Sequence, residues 1–200
     1  EISLLSLSAS DYSCLEELLC GINNKFAGRM ISISLPSLRV DNFTLGIAKQ
    51  LKSVRKSGLT FALETADERM RRFINKDITN EQFLEIVENV ANEGWRRIKV
   101  YIMFGFSVEQ PGSDEIEALR DLMAETVRRT RGQLNISVHL SAFVPKPNTP
   151  FQWLGFADIN ELEEKIGRFR SRLRMRNVEV KWNSVQSSFL EAVICRGDRR

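Results

Sequence analysis

Apolar and polar residues follow two different periods, and segments with one period alternate along the chain with segments that have the other. In five short runs every second residue is apolar, which is typical of a strand with one buried face. In the longer stretches between these runs apolar residues recur every three or four positions, as on an amphipathic helix. The pattern predicts strands at residues 2–10, 30–35, 59–64, 97–104 and 135–143, and helices at residues 14–23, 42–56, 79–93 and 114–131.

The repeated order of strand and helix predicts an α/β fold with a parallel sheet and right-handed crossovers. One side of each strand is polar or mixed, as with Ser137, His139 and Ser141 in the fifth strand. A doubly wound sheet would be apolar on both faces, and a closed eight-stranded barrel fills its centre with branched apolar side chains. We therefore expect an incomplete TIM-like β/α barrel of about five βα units around a polar ligand. An open sheet with one solvated face is the alternative.

The pattern changes after the fifth strand. Residues 143–153 contain three prolines and predict a stiff, extended loop. A helix is predicted at residues 158–175, a short strand at 178–182 and a last helix at 187–195. We expect the partial barrel at residues 1–156 and a helix–strand–helix extension, packed on the barrel, at residues 157–200.

Composition narrows the class of protein. The chain has 200 residues, of which 42% are hydrophobic and 28% charged, as in one globular domain. Its net charge of +3 is too small to indicate a nucleic-acid partner by itself. There is no visible leader and no apolar run near the roughly 20 residues that span a bilayer. We expect a cytoplasmic protein without membrane association. Because the chain begins at Glu1, within an apparent strand, we also expect it to be a piece of a longer polypeptide.

Three cysteines, Cys14, Cys20 and Cys195, are scattered along the chain. An odd number of cysteines without a secretory leader favours reduced thiols. The five residues between Cys14 and Cys20 match neither a zinc knuckle nor a set of three cluster ligands. We expect no metal site built from these three residues.

Several local strings together resemble the radical S-adenosylmethionine (SAM) superfamily, and within it an uncharacterised bacterial subfamily with an N-terminal cobalamin-binding-like region. The resemblance covers nearly the whole chain, and each string alone is weak. The strings are LSLSASDY at residues 5–12, SLPSLRVD at 34–41, GLTFALE at 58–64, GWRRIK at 94–99 and TPFQW at 149–153.

The resemblance implies that the parent protein is an Fe–S oxidoreductase or transferase. Such an enzyme cleaves SAM reductively to a 5′-deoxyadenosyl radical at a [4Fe–4S] cluster, and cobalamin is a further possible cofactor. The cluster is held by a CxxxCxxC motif, which these 200 residues lack. We therefore expect this chain to be the C-terminal part of the barrel, to supply the SAM-binding wall, and to have the missing N-terminal part as its partner. Alone, it is expected to be inactive and to bind no cofactor.

The resemblance also assigns residues to the SAM-binding wall. Ser8 and Ser10 contact the SAM amino group, and Glu64 accepts from the ribose hydroxyls. Arg72 and Lys76 face the carboxylate. The residues at the adenine are Gly105, Phe106 and Val144. The two basic residues continue the spacing i, i+3, i+7 that starts at Arg69, which predicts one helical side. An ion pair with Lys99 is the alternative for Glu64, and an ordinary strand-to-helix cap is the alternative for the two serines.

The polar side of the strands carries the candidate substrate residues. Tyr101 and His139 are predicted to face the lumen, where a histidine can move a proton or bind a small-molecule substrate. Each can equally be a hydrogen-bonded structural residue.

A second hypothesis is an RNA-interacting module, or a tRNA-modifying, methylthiotransferase-like domain. Arginines cluster in two predicted helices, and phosphate contacts need such cations. Because glutamates lie in the same helices, a solvated amphipathic face is the alternative. The arginines are Arg128, Arg129, Arg131, Arg168, Arg170, Arg172, Arg174 and Arg176.

A barrel without its first strand also exposes an edge strand. We therefore expect the chain to be able to form a homodimer through that edge strand.

Overall fold

The computed structural model describes residues 1–6, 12–35, 45–51, 58–106 and 114–197. Strands and helices alternate along most of this length. The elements are β1 (Ile2–Ser3), α1 (Leu15–Lys25), β2 (Ile33–Ser34), α2 (Leu45–Leu51), β3 (Leu59–Glu64), α3 (Glu68–Phe73), α4 (Asn80–Asn92), β4 (Arg97–Phe104), α5 (Glu115–Arg129), β5 (Asn135–Ala142), α6 (Ile159–Arg172), β6 (Val178–Trp182) and α7 (Val185–Arg196).

All the strand pairs are parallel. β1 pairs with β2, and β3, β4, β5 and β6 form a second sheet in which neighbours in the chain are neighbours in space. This order, with a helix between successive strands, is that of a β/α barrel that has not closed. The predicted α/β class and partial TIM-like barrel are thereby confirmed.

The core lies between the four-stranded sheet and its helices. Alternate strand residues such as Phe61, Val100 and Val138 are fully buried against α4, α5 and α6, whose apolar sides include Phe83 and Phe169. Burying one such side chain contributes roughly 1.5–3 kcal/mol, so this layer holds the sheet and the helices together.

The other side of the sheet is called the open face below. It consists of residues 60, 62 and 64 of β3, 99, 101 and 103 of β4, 137, 139 and 141 of β5, and 179 and 181 of β6. Each of these side chains is partly or fully exposed. In β3, β4 and β5 the buried and exposed positions alternate as the sequence pattern predicts.

Capping residues fix where the helices begin. Thr79 accepts from the Gln82 backbone N–H while the Gln82 side chain contacts the Thr79 backbone N–H, which is a capping box for α4. The Asp114 and Asp158 side chains cap α5 and α6, each by accepting from two backbone N–H groups of the first turn. The last helix begins at Val185, earlier than predicted, because the Ser184 hydroxyl caps it.

Two parts of the fold differ from the sequence prediction. Within the described residues β1 and β2 are two residues long, because their pairing is confined to Ile2 with Ile33 and Ser3 with Ser34. The segment after residue 156 forms the predicted helix, strand and helix, but β6 pairs with β5 in the same sheet. It therefore continues the strand–helix repeat, and the boundary at residue 156 stays a prediction.

None of the helices in the described part of the chain is long and apolar enough to cross a membrane.

Candidate functional site

A recess opens at the carboxyl ends of β3, β4 and β5, the end at which β/α barrels bind their ligands. Its volume is about 290 Å³, and we call it the upper pocket. Four elements meet there, namely the ends of β3 and β4, the turn after α3 and the loop after β5. The lining residues are Glu64, Ile74, Asn75, Lys76, Met103, Phe106, Phe143 and Phe151.

An ion pair forms the polar side of the upper pocket. Lys76 Nζ donates to Glu64 Oε1 over 2.9 Å, and the two side chains are 17% and 23% exposed. The sequence suggested Lys99 as the alternative partner of Glu64, and the structure gives Lys76 instead. A carboxylate and an ammonium held side by side can contact hydroxyl and carboxylate groups of one ligand.

The backbone at Glu64 is in a conformation that non-glycine residues seldom adopt. Its φ is +72°, and the pairing of β3 with β4 shifts register between Ala62 and Glu64. Bulges of this kind redirect a side chain at the end of a strand, and strained residues cluster at ligand sites. The carboxylate therefore points into the upper pocket at an energetic cost.

A tight turn after α3 places Lys76. Asn75 has a φ of +57°, its N–H donates to Arg72 O over 3.0 Å, and the Lys76 N–H donates to Arg71 O over 2.8 Å. These bonds form a Schellman motif with Asn75 in the left-handed position. Because α3 ends at Phe73, the predicted helical side shared with Lys76 is wrong. Arg69 and Arg72 are exposed on α3, and Arg72 does not line the upper pocket.

A fully buried arginine connects the two ends of this segment. Arg71 is 0% exposed, and its guanidinium donates to Ile78 O (2.8 Å), Thr65 O (2.6 Å) and Asn80 Oδ1 (2.6 Å). Burial lowers the pKa of Arg71, and the charges of Glu68 and Asp67 oppose that effect. The guanidinium fastens the residue after Glu64 to the start of α4, so it fixes the segment that carries the ion pair.

Arg71 was not among the residues predicted for the site. Arginines occupy positions 69, 71 and 72, and nothing in their spacing marks the middle one as buried. Its role follows from the path of residues 74–80, which bring Ile78 and Asn80 onto the guanidinium.

Phenylalanines form the apolar side of the upper pocket. Phe106 stacks on Phe143 with their ring centroids 4.5 Å apart, and Phe143 meets Phe151 edge-on at 6.0 Å. Phe73 lies 5.5 Å from Phe151, which extends the cluster to the end of α3. Stacked rings suit contact with a flat aromatic ligand. Phe106 was predicted here, whereas the ring contributions of Phe143 and Phe151 were not.

Two predicted adenine contacts lie at the edge of the site. Gly105 is buried with a φ of +78°, and a Cβ placed there would overlap Leu162 Cδ2 of α6. The missing side chain at Gly105 thus permits packing against the helix layer. Val144 is partly buried beside Phe143 but does not line the upper pocket. Ser8 and Ser10 lie outside the described residues.

The two predicted substrate residues are neighbours on the open face. Tyr101 and His139 pair across β4 and β5, and their ring centroids are 5.1 Å apart. Ser137 Oγ lies 3.2 Å from His139 Nε2. Burial lowers the pKa of His139, and the charges of Lys99 and Lys181 lower it further. The imidazole is therefore neutral near pH 7, a state in which it can accept a proton.

Many of the arginines considered for RNA binding have partners within the protein. Five of them contact acidic or aromatic side chains, four on a neighbouring element and Arg128 within α5, so part of their charge is already compensated. The pairs are Arg128 with Glu125, Arg129 with Glu81 and Glu125, Arg168 with Asp114, Arg172 with Glu117, and Arg170 over the Trp182 ring. The side chains of Arg131, Arg174 and Arg176 are exposed.

The described thiols and acidic groups do not gather into a metal site. In the parts of the chain that the structure describes, no three histidine, cysteine, aspartate or glutamate side chains are grouped to hold a metal ion. Cys14 and Cys20 are exposed free thiols at α1, and Cys195 is a partly buried free thiol on α7.

Comparison with known proteins gives two findings. Residues 2–123 match the family model described as the radical SAM superfamily. The chain is also 27% identical over 198 residues to the uncharacterized protein MJ0966 of Methanocaldococcus jannaschii. That alignment covers 99% of this chain and 41% of the relative, so the chain spans less than half of the length of the protein that it matches.

Proposed function

The chain belongs to the radical SAM superfamily, and from this premise we propose that it supplies the wall of the barrel that holds SAM. In the proposal the upper pocket receives the cofactor, with Glu64 at the ribose hydroxyls and Lys76 at the methionine carboxylate. The observation that carries it is the Glu64–Lys76 pair, 2.9 Å long, at the carboxyl ends of the strands beside a phenylalanine cluster.

The chemistry of the pocket suits SAM. A ribose offers two hydroxyl donors to a carboxylate, a methionine carboxylate accepts from an ammonium, and adenine is a flat ring that packs on phenylalanine. When bound, SAM supplies the adenosyl group from which this superfamily generates a radical.

The protein's own contribution is positioning. Arg71 and the Schellman turn fix the segment between Glu64 and Lys76 before any ligand arrives, so little ordering cost is paid on binding. Phe106 and Phe143 limit the access of water to one side of the pocket, which strengthens the charged contacts of Lys76. His139, neutral near pH 7, is available to take a proton from a substrate on the open face.

The cluster does not fit the side chains described. The superfamily implies a [4Fe–4S] cluster, but the described thiols lie apart on α1 and α7 and form no metal-ligand group. We propose that the cluster is held by another part of a longer polypeptide, and that these 200 residues alone are inactive. No observation on the described residues supports cobalamin, and we derive no step through either group.

The RNA-interacting alternative is less well supported than the SAM-binding wall. Its candidate arginines on α5 and α6 mostly contact acidic residues of the protein itself. A partner that relied on them would have to displace those pairs.

The test uses the longer polypeptide that we propose, reconstituted anaerobically with iron and sulfide. SAM affinity is measured by calorimetry, and 5′-deoxyadenosine is measured by chromatography. We expect Glu64→Gln and Lys76→Gln each to weaken SAM binding by about tenfold or more, because each removes a charge-assisted contact from a partly buried site. Lys165→Gln is the matched control, since Lys165 forms a 2.8 Å pair with Glu115 between α5 and α6. Equal SAM affinity in all three variants would contradict the proposal.

A further inference from the structure

A second cavity lies on the open face near the N-terminal ends of the strands, away from the upper pocket. Its volume is about 700 Å³, and we call it the lower cavity. Its lining is mostly polar and comes from β4, β5 and β6, from Asn177 before β6, and from the residues just before β1, β2 and β3, namely Glu1, Ser32 and Gly58. The residues that matter below are Arg97, Lys99, Ser137, Glu179 and Lys181.

Register places cationic side chains on adjacent rows of this cavity. Lys99 pairs across the sheet with Ser137, which in turn pairs with Glu179. Lys181 lies opposite His139 on the next row, and Arg97 begins β4. Side chains at paired positions on one face are close neighbours, so these groups border one space.

The charges in the lower cavity do not cancel. Arg97, Lys99 and Lys181 are cationic, whereas Glu179 and Glu1 supply the lining's carboxylates. Lys181 Nζ lies 3.2 Å from Glu179 Oε2, so one carboxylate is already paired. Among the ion pairs of the described residues none involves Lys99, whose side chain is exposed. Positive charge is therefore left over within a concave, polar space.

The pKa of the neighbouring His139 is affected by the same excess of positive charge. Besides burial, the charges of Lys99 and Lys181 both lower the pKa of His139, and only Glu179 opposes them. These are the charged groups that β4 and β6 bring to the imidazole from either side. Gathering cations without an equal number of anions costs free energy, and a bound anion would repay that cost.

We propose that the lower cavity binds the phosphate group of an anionic ligand. Phosphate oxygens accept several charge-assisted hydrogen bonds at once, and the lining offers a guanidinium fork, two ammonium groups and a serine hydroxyl. A cavity of about 700 Å³ also has room for more than the phosphate, as small-molecule sites do. The ligand class is a nucleotide or another phosphorylated organic molecule, or a phosphate of a nucleic-acid chain.

The site is separate from the upper pocket. Lys99 and Met103 line the two cavities from the same strand, and four residues of a strand span roughly 13 Å. The row of Tyr101 and His139 lies between them. The proposal therefore does not depend on SAM binding in the upper pocket.

The experiment uses the only histidine as a probe in the 200-residue chain. The pH titration of the His139 ring is followed by NMR at constant ionic strength, first in sodium chloride and then with AMP, with pyrophosphate or with a short RNA oligonucleotide. We expect the phosphate probes to raise the pKa of His139, because a bound anion offsets the charges of Lys99 and Lys181. Lys99→Gln and Lys181→Gln should each weaken the response about tenfold. Lys165→Gln, on the helix layer, should leave it unchanged.

The two sources of phosphate give different results, and each supports the site. A response to AMP or pyrophosphate alone indicates a small-molecule ligand. A stronger response to RNA that falls steeply with salt indicates a nucleic-acid chain. The absence of any phosphate-dependent change in the His139 titration, or the same change in Lys99→Gln and Lys181→Gln as in the parent chain, overturns the proposal. Circular dichroism of each variant checks that the chain remains folded.

Discussion

Two arginine networks in this protein use the same chemistry in opposite surroundings. Arg71, at the pocket end of the sheet, is 0% exposed and donates to two backbone carbonyls and the Asn80 side chain. Arg129, on the outer surface of the helix layer, donates to both carboxylate oxygens of Glu81 at 2.6 and 2.7 Å. The first connects the residues after β3 to the start of α4, where Asn80 also donates to Ala66 O and Glu68 Oε1, and the second connects two helices that already pack through their apolar sides.

The difference shows that bond geometry alone does not decide what an arginine contributes. Water and salt screen an exposed pair, and either partner is solvated again when the other is removed. A buried guanidinium has lost its hydration, and its loss leaves buried carbonyls without donors. Substitutions at the end of the sheet that carries the upper pocket should therefore cost much stability, and substitutions on the outer surface of the helices should cost little.

The largest expected effect comes from removing the buried guanidinium. Arg71→Met should lower the free energy of unfolding by about 3–5 kcal/mol, because Thr65 O, Ile78 O and Asn80 lose their donor inside the protein. Urea unfolding, extrapolated to water, measures it. Arg71→Lys keeps the charge without the planar fork, so its free energy of unfolding should lie between those of the parent chain and Arg71→Met. Arg129→Met is the control in a more exposed pair, with Arg129 23% and Glu81 57% exposed, and a loss as large as that of Arg71→Met would remove the contrast between the regions.

Gly105 tests whether the pocket end is also intolerant of added volume. Gly105→Ala should cost about 2–4 kcal/mol, from a left-handed backbone that disfavours a Cβ and from overpacking against Leu162. Gly167 has an open space around its Cα on α6, so Gly167→Ala should instead stabilise the helix by about 0.5–1 kcal/mol. Thermal unfolding of both variants gives the comparison. Equal tolerance at the two glycines would show that the end of β4 can relax.

Asn75 tests the turn that places Lys76. Asn75→Val should cost about 1–2 kcal/mol, because a β-branched residue resists a φ of +57°. Asn75→Gly should be nearly neutral in stability. Urea unfolding of both variants measures these effects, and an Asn75→Val chain that unfolds like the parent would show that the turn does not hold the segment that carries Lys76.

The smallest effect is on the outer surface and depends on pH. Hydrogen bonds from Arg128 and Arg129 lower the pKa of Glu125 to about 2, from an ordinary value of 4.5. Because the folded form binds this proton less tightly, the contribution of Glu125 is complete above pH 4.5 and is lost as the pH falls toward 2. The stability difference between the parent chain and Glu125→Gln should shrink across that window and also decrease in high salt. A difference that stays constant with pH would contradict the assignment.

The central strands could be predicted closely from the sequence. β3 and β4 have the predicted bounds, because the alternation of Phe61 and Val100 with polar neighbours marks a strand with one buried face. The first two strands were predicted too long. Alternation shows which residues can form a strand, but the strand extends only as far as a neighbouring strand pairs with it. The Ser184 cap was also missed, because three serines near the start of α7, Ser184, Ser187 and Ser188, compete for that position.

For the site, the resemblance assigned eight residues to one SAM-binding wall, and the structure brings three of the six that it describes into one recess. Glu64, Lys76 and Phe106 do meet in one recess, whereas Arg72 remains on the surface of α3 and Val144 lies outside the lining. The interatomic contacts of Arg71 follow from a turn at Asn75 and the path of residues 74–80. The local pattern of apolar and polar residues does not show that residues 74–80 bring Ile78 and Asn80 back to Arg71.

By itself the sequence determined the order of strands and helices and the side of each strand that is buried. These depend on neighbours within a few residues, so periodicity and capping express them directly. The resemblance to a family came separately, from strings spread along the chain. Which arginine is buried, which lysine meets Glu64 and which cations share a cavity were decided by the tertiary structure. Each of these depends on groups that are far apart in sequence, where the energy of a charge is set by its surroundings and not by its position in the chain.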